Sequence, residues 1–254
     1  MPPSFVIGID TATPVTSVAA GSEAGVLAAM SVRNDRAHAE LLVPMVREVL
    51  ERSGLDHTAL AGIAVGTGPG LFTGLRVGVS SAKALAQAWR LPIVAVPSLD
   101  LLAFACRQAE RLVCAVIDGR RGELFAATYR PTGAGVRRAS DHRVLRPDAL
   151  ADELEALGEP VLLCGEGALR YSATFERLGK ARLAGVDRAA PSAESAVQLA
   201  LPRLERGEVT PPLEVRPLYL RRPDVDPSIE RRLAAERLIS HRPRGAVGAA
   251  ITET

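Results

Sequence analysis

Lysine is almost missing from this chain. Of its 31 basic residues only Lys83 and Lys180 are lysine, and 29 acidic residues hold the formal charge to +2. No polycationic footprint of a nucleic-acid binder follows from that balance. The arginine bias reads as genome composition more than as a binding surface, so an RNA role would need a partner's help. Long apolar runs are lacking too, since none approaches the ~18 residues that span a bilayer. The opening residues, MPPSFVIGIDTATP, have neither the basic start nor the small-residue cleavage site of a secretory signal, so the cytoplasm is the expected compartment. Cysteine is scarce and odd in number. Cys106, Cys114 and Cys164 sit far apart in apolar stretches, which points to buried reduced thiols instead of a redox or zinc site. The histidines, His38, His57, His142 and His241, never fall at i, i+4 and have no cysteine or carboxylate at ligand spacing, so this chain alone is not expected to hold a metal. A G-x-S-x-G elbow and a C-x-x-C pair are also absent.

What is there is the balance of a globular protein: 47% hydrophobic and 24% charged residues in 254, enough for one large domain or two lobes. SFVIGI at 4–9 predicts a strand entering Asp10, and two more strands joined by a glycine turn follow. Leu41, Leu42, Met45, Val46, Val49 and Leu50 recur at helical spacing and stop at Gly54, a natural C-terminal cap. ALAGIAVGTGPG is a strand running into a glycine turn, a helix begins at about Thr73, and LPIVAVP is another strand.

The second half repeats this plan, with Ile117-Asp118 standing where Ile9-Asp10 stood and Gly165-x-Gly167 where Gly66-x-Gly68 stood. A third strand is expected near HRVL, helices at PDALADELEALG and ESAVQLALPRLERG, and a strand, glycine turn and helix at 160–179. The expected fold is α/β, two tandem ribonuclease-H-like lobes, each a mixed five-stranded sheet with flanking helices. From Pro223 onward the chain is charged, Pro-rich and finally Gly/Ala-rich, which predicts a mobile tail over 223–254.

The densest motif is GTGPGLFTGLRVGV at 66–79. It is no Walker A loop, because Leu75 follows Gly74 where a lysine is needed, and it is no Rossmann loop either. Gly74, Gly78, Ala82 and Ala86 do recur every four residues, a small-residue stripe that lets another backbone come close, either inside the chain or in a second subunit. Asp10-Thr11-Ala12-Thr13 resembles the phosphate turn of actin-like ATPases, but Ala12 stands where glycine is expected and its Cβ would crowd a phosphate. Its counterpart, Asp118-Gly119-Arg120-Arg121-Gly122, brings two large arginines into the turn. Asp10, Thr11, Thr13, Asp118, Gly165 and Gly167 are therefore the candidates for a degenerate nucleotide cleft.

The chain resembles the TsaB (YeaZ) family of bacterial threonylcarbamoyladenosine tRNA modification. The likeness is carried by IDTAT at 9–13, GTGPGLFTGLRVG at 66–78, IDGRRGELFAATY at 117–129 and RPLYLR at 216–221, in order from residue 4 to about 222. It implies actin-like ATPase lobes at 1–106, completed by about 208–222, and at 107–207. It further implies a scaffold subunit without catalysis or cofactor of its own, assembled with a TsaD-like catalytic subunit and a TsaE-like ATPase. ATP and a metal would then belong to those partners, tRNA would be met through the complex, no membrane would be involved, and the chain alone would pair with itself. In TsaD-like proteins the strand after the glycine-rich helix leads into a metal motif, H-L-E-G-H. Here that stretch is Ser98-Leu99-Asp100-Leu101-Leu102, so Ser98 and Leu102 replace both imidazoles. Serine is common in the family at Leu71, so no hydroxyl role is expected in that loop.

Two expectations follow for sites. The helices over about 38–53 and from Thr73 are expected to dock the partner through Leu42, Met45, Val46, Val49, Gly74, Gly78, Ala82 and Ala86. The competing reading is an active ATPase or phosphotransferase that holds Mg·ATP through Asp10 and Asp118. A metalloprotease lacks ligands and is discarded.

Overall fold

The first three strands run as an antiparallel meander because each is a short apolar segment ended by a tight turn: β1 Phe5–Asp10, β2 Val15–Ser22 and β3 Gly25–Arg33. The computed structural model describes residues 4–34 and 37–221, so the expected tail at 223–254 and His241 lie outside the described residues. After α1 His38–Ser53, strand β4 Leu60–Gly66 joins β1 in parallel. Helix α2 Phe72–Trp89, strand β5 Ile93–Val96 and helix α3 Ser98–Phe104 follow. The sheet order is β3-β2-β1-β4-β5.

Strand alternation splits this sheet between two cores. Ile7, Ile9, Val18, Ile63 and Val65 meet Leu42, Met45, Val46, Val49, Val79, Ala82 and Ala86 of α1 and α2. The intervening Val6, Ala19, Ala64 and Val94 face the opposite way. They are covered by α7 Ala193–Glu205, through Ala193, Ala196, Val197, Ala200 and Leu201, and the Ala193 amide donates to Ser17 Oγ at 3.0 Å. Sequence order assigns this helix to the second lobe. The structure packs it on the first, because its alanine-rich face matches a strand face of equally small residues.

The second lobe begins with the hairpin β6 Leu112–Arg120 and β7 Glu123–Pro131, then β8 Val136–Arg138 and β9 Arg143–Leu145, both paired to β7. Helix α4 Pro147–Leu157 leads to β10 Val161–Cys164, parallel to β6. Where one helix was expected after Gly165 there are two short ones, α5 Glu166–Arg170 and α6 Ser172–Glu176, hinged at Tyr171. The extra strand β11 Ala181–Leu183 completes a six-stranded sheet, one strand more than expected, ordered β11-β10-β6-β7-β8 with β9 also on β7. Beyond α7 the chain returns along the first lobe: Thr210 N donates to Ile93 O at 2.7 Å and Leu218 N to Thr67 O at 2.7 Å.

Candidate functional site

β1 delivers Asp10 to the carboxyl end of the first sheet, and the turn that follows is closed by the chain itself. Asp10 Oδ1 accepts from Ala12 N at 3.0 Å and Oδ2 from Ser98 Oγ at 2.8 Å. Ser98 Oγ in turn accepts from Gly68 N at 3.1 Å, while Ser98 N donates to Gly68 O at 2.7 Å. Ser98 thus ties the glycine-rich loop to the aspartate. Burial lifts the Asp10 carboxyl from 3.8 to about 7, against the hydrogen bonds from Ala12 and Ser98, which pull it down.

The same loop seals the other side of the turn. Leu71 N donates to Ala12 O at 2.7 Å, and Thr11 Oγ1 donates to Gly74 O at 2.7 Å. Asp10 is 1% exposed, and Thr11, Ala12 and Thr13 are fully buried. A Cβ on Gly74 would run into the Thr11 carbonyl oxygen, and one on Gly78 into the Thr11 hydroxyl. The small-residue stripe is therefore consumed inside the chain, by the turn after β1. This corrects the docking expectation residue by residue. Leu42, Met45, Val46, Val49, Gly74, Gly78, Ala82 and Ala86 are all buried in the chain's own first lobe, and what α1 shows to solvent is instead the side carrying Val43 and Pro44.

The second-lobe turn is built differently. Asp118, buried at the end of β6, accepts from Arg120 N at 3.0 Å, and its Oδ2 lies 3.2 Å from Arg170 Nη1 and 3.6 Å from Arg120 Nη1. Gly165 and Gly167 press β10 and α5 against the end of β6: a Cβ on Gly165 would strike the Val116 carbonyl oxygen, and one on Gly167 would come within 3.0 Å of Asp118 N. The two candidate aspartates thus have opposite settings, Asp10 sealed among neutral groups and Asp118 gripped by arginines.

Ser98 and Leu102, where the resemblance implies lost imidazoles, are both fully buried on α3. Between them Asp100 makes a contact that sequence spacing does not reveal. Its Oδ1 accepts from Tyr129 Oη at 2.7 Å and lies 3.1 Å from His142 Nε2, with Arg138 Nη1 3.1 Å from the same imidazole nitrogen. Burial works to raise the Asp100 carboxyl, but the hydrogen bonds from His142 and Tyr129 and the charges of His142 and Arg138 hold it below its ordinary value. This cluster joins α3 of the first lobe to β7 and the β8–β9 loop of the second. The signal for it lay 42 residues apart in sequence. His38, also buried, bonds Thr16 Oγ1 through Nδ1 at 2.7 Å, and His57 stacks on Trp89 with centroids 5.6 Å apart. The three cysteines are free and buried, and burial pushes the Cys114 thiol up to about 12.

Two lobes of this topology, each with an aspartate at the end of its first strand, define a protein of the actin-like ATPase fold. A family model described as TsaD, tRNA N6-adenosine threonylcarbamoyltransferase, matches residues 27–183. The chain is 29% identical to the tRNA threonylcarbamoyladenosine biosynthesis protein TsaB of Escherichia coli, over 85% of this chain and 94% of the relative. It is 30% identical to the TsaB of Haemophilus influenzae, over 85% and 93%. The solved structure of YeaZ from Pseudomonas aeruginosa superposes with a TM-score of 0.75 at 31% identity, over 85% of this chain and all of that one. The chain belongs to the TsaB (YeaZ) family.

Proposed function

We propose that this chain is a non-catalytic scaffold subunit of the assembly that adds a threonylcarbamoyl group to the adenosine beside the anticodon of tRNA, and that it pairs with and activates a TsaD-like catalytic subunit. The relatives named for threonylcarbamoyladenosine biosynthesis support the pathway. The observation that carries the scaffold reading is the sealed turn after β1. Actin-like ATPases bring nucleotide phosphates and their metal to this turn. Here Asp10, Thr11, Ala12 and Thr13 are at most 1% exposed, and the backbone of Leu71 and Gly74 already bonds to the turn. An active ATPase or phosphotransferase would need both aspartates open, whereas Asp118 is held between Arg120 and Arg170.

ATP and a metal then belong to the partners, the catalytic subunit and a TsaE-like ATPase, and the assembly works in the cytoplasm. Among the described residues no helix is long and apolar enough to cross a membrane. Pairing uses the solvent side of α1 and α2, where Val43 is 54% exposed, and the chain alone pairs with itself through the same face. The test is affinity purification of the tagged chain from its own cells, with identification of what stays bound. A TsaD-like protein in equal amount supports the reading, and its absence contradicts it.

A further inference from the structure

The balanced overall charge of +2 hides an uneven local one. Arg120 and Arg170 share a single carboxylate oxygen, Asp118 Oδ2, and their side chains remain 45% and 56% exposed, so this trio presents net positive charge to solvent. Arg120 and Arg121 stand at φ 65° and 56°, two consecutive large residues in the left-handed region, and both are exposed. Such a pair is unusual in a turn that has glycines beside it.

From this turn a band of contacts runs in both directions. On one side Glu166, in the same short helix as Arg170, lies 3.8 Å from Arg33. On the other side Glu123, the cross-strand neighbour of Arg120, accepts from Arg221 Nη1 at 2.8 Å. Two residues before Arg221, the Tyr219 ring lies 5.2 Å from that of Phe72, and the Arg76 guanidinium sits 5.2 Å over the Phe72 face. Phe72 and Tyr219 are 38% and 40% exposed, large aromatics held together at the surface.

We propose that this band is a binding surface for single-stranded RNA, with the arginines on backbone phosphates and the Phe72–Tyr219 pair as the platform for an unstacked base. Guanidinium forks bind phosphate oxygens in pairs and stack on rings. Exposed aromatics set among arginines are how single strands are gripped where no readable groove exists. Carboxylates at Asp118, Glu123 and Glu166 hold the arginines in place. The inference goes beyond the scaffold reading, which leaves RNA contact to the assembly.

The test is fluorescence anisotropy of the full chain alone with a labelled RNA stem-loop carrying an unpaired loop, compared with an RNA duplex of equal length. Expected is preferential stem-loop binding whose log K falls with log salt at a slope of about −2, as about three phosphate contacts on a single strand would give. Arg76→Gln with Arg120→Gln is expected to weaken it about tenfold and flatten the slope by about one. Phe72→Ala is expected to weaken it by about tenfold with the slope unchanged. Circular dichroism melting checks that each variant folds. Absence of salt-dependent binding, equal binding of the duplex, or full binding by folded variants overturns the proposal. So does loss of pairing with the TsaD-like subunit in place of RNA binding, which would make the band a protein interface. Because RNA binding is read on the chain alone, its outcome does not depend on whether the scaffold reading holds.

Discussion

Ser98 Oγ donates to Asp10 Oδ2 at 2.8 Å, across 88 residues of sequence, and both groups are buried. This bond joins the position of a lost metal ligand to the position of a lost phosphate turn, so one contact closes two features an enzyme of this fold would keep open. Its energetics are measurable through pH.

The Asp10 carboxyl holds its proton up to about 7 in the folded state, against 3.8 when unfolded. Between these values the native state binds the extra proton, so stability falls as pH rises from about 4 to about 7 and levels off above. The slope from this group is about −1.4 kcal/mol per pH unit. Urea unfolding from about pH 5 to about pH 8 should show it, and Asp10→Asn should remove it. Ser98→Ala takes away a bond that pulls the carboxyl down, so the fall should extend to higher pH.

Gly78→Ala should destabilise the chain by about 1–3 kcal/mol, because the added methyl meets the Thr11 hydroxyl inside a packed lobe. Gly179→Ala, where a Cβ meets nothing within 4 Å, is the control and should change little. Thermal melting of the two variants separates internal packing from a docking role for the stripe.

The fate of that stripe shows what was legible in the residues. Spacing of four identifies Gly74, Gly78, Ala82 and Ala86 as a close-approach face but carries nothing about the neighbour, which is Thr11, 63 residues from Gly74. The apolar period of α1 was readable because one side of the helix is buried and the other wet. Helix α3 was not, since nearly all of Ser98–Phe104 is buried and no period survives. The three-residue strand β11 is too short to leave a pattern. The paired aspartates of the two lobes were visible as a repeat, whereas the opposite settings of Asp10 and Asp118 come from residues far along the chain, Ser98 and Arg170.

Asp100 and His142 should be energetically coupled across the lobes. A double-mutant cycle of Asp100→Ala and His142→Ala, read by urea unfolding, is expected to give a coupling of about 0.5–3 kcal/mol, because the His142 side chain is only 6% exposed and the two share Tyr129 as a neighbour. Additive losses would mean that the cluster does not act as an interlobe tie.

Val43→Glu should leave stability within about 0.5 kcal/mol of the parent, as is usual at exposed positions, while weakening pairing with the TsaD-like subunit at least about tenfold. Calorimetric titration reads the pairing and circular dichroism the fold. Unchanged affinity would move the contact away from the outer face of α1.

The most direct measurement is threonylcarbamoyl transfer to tRNA in a mixture of this chain, a TsaD-like subunit, a TsaE-like ATPase and the activated donor, run with the parent chain and with Asp10→Asn. The account predicts no transfer by the chain alone, transfer that depends on adding it to the partners, and the same rate with Asp10→Asn, since a sealed carboxyl does no chemistry. Transfer or ATP turnover by the chain alone that Asp10→Asn abolishes would contradict it.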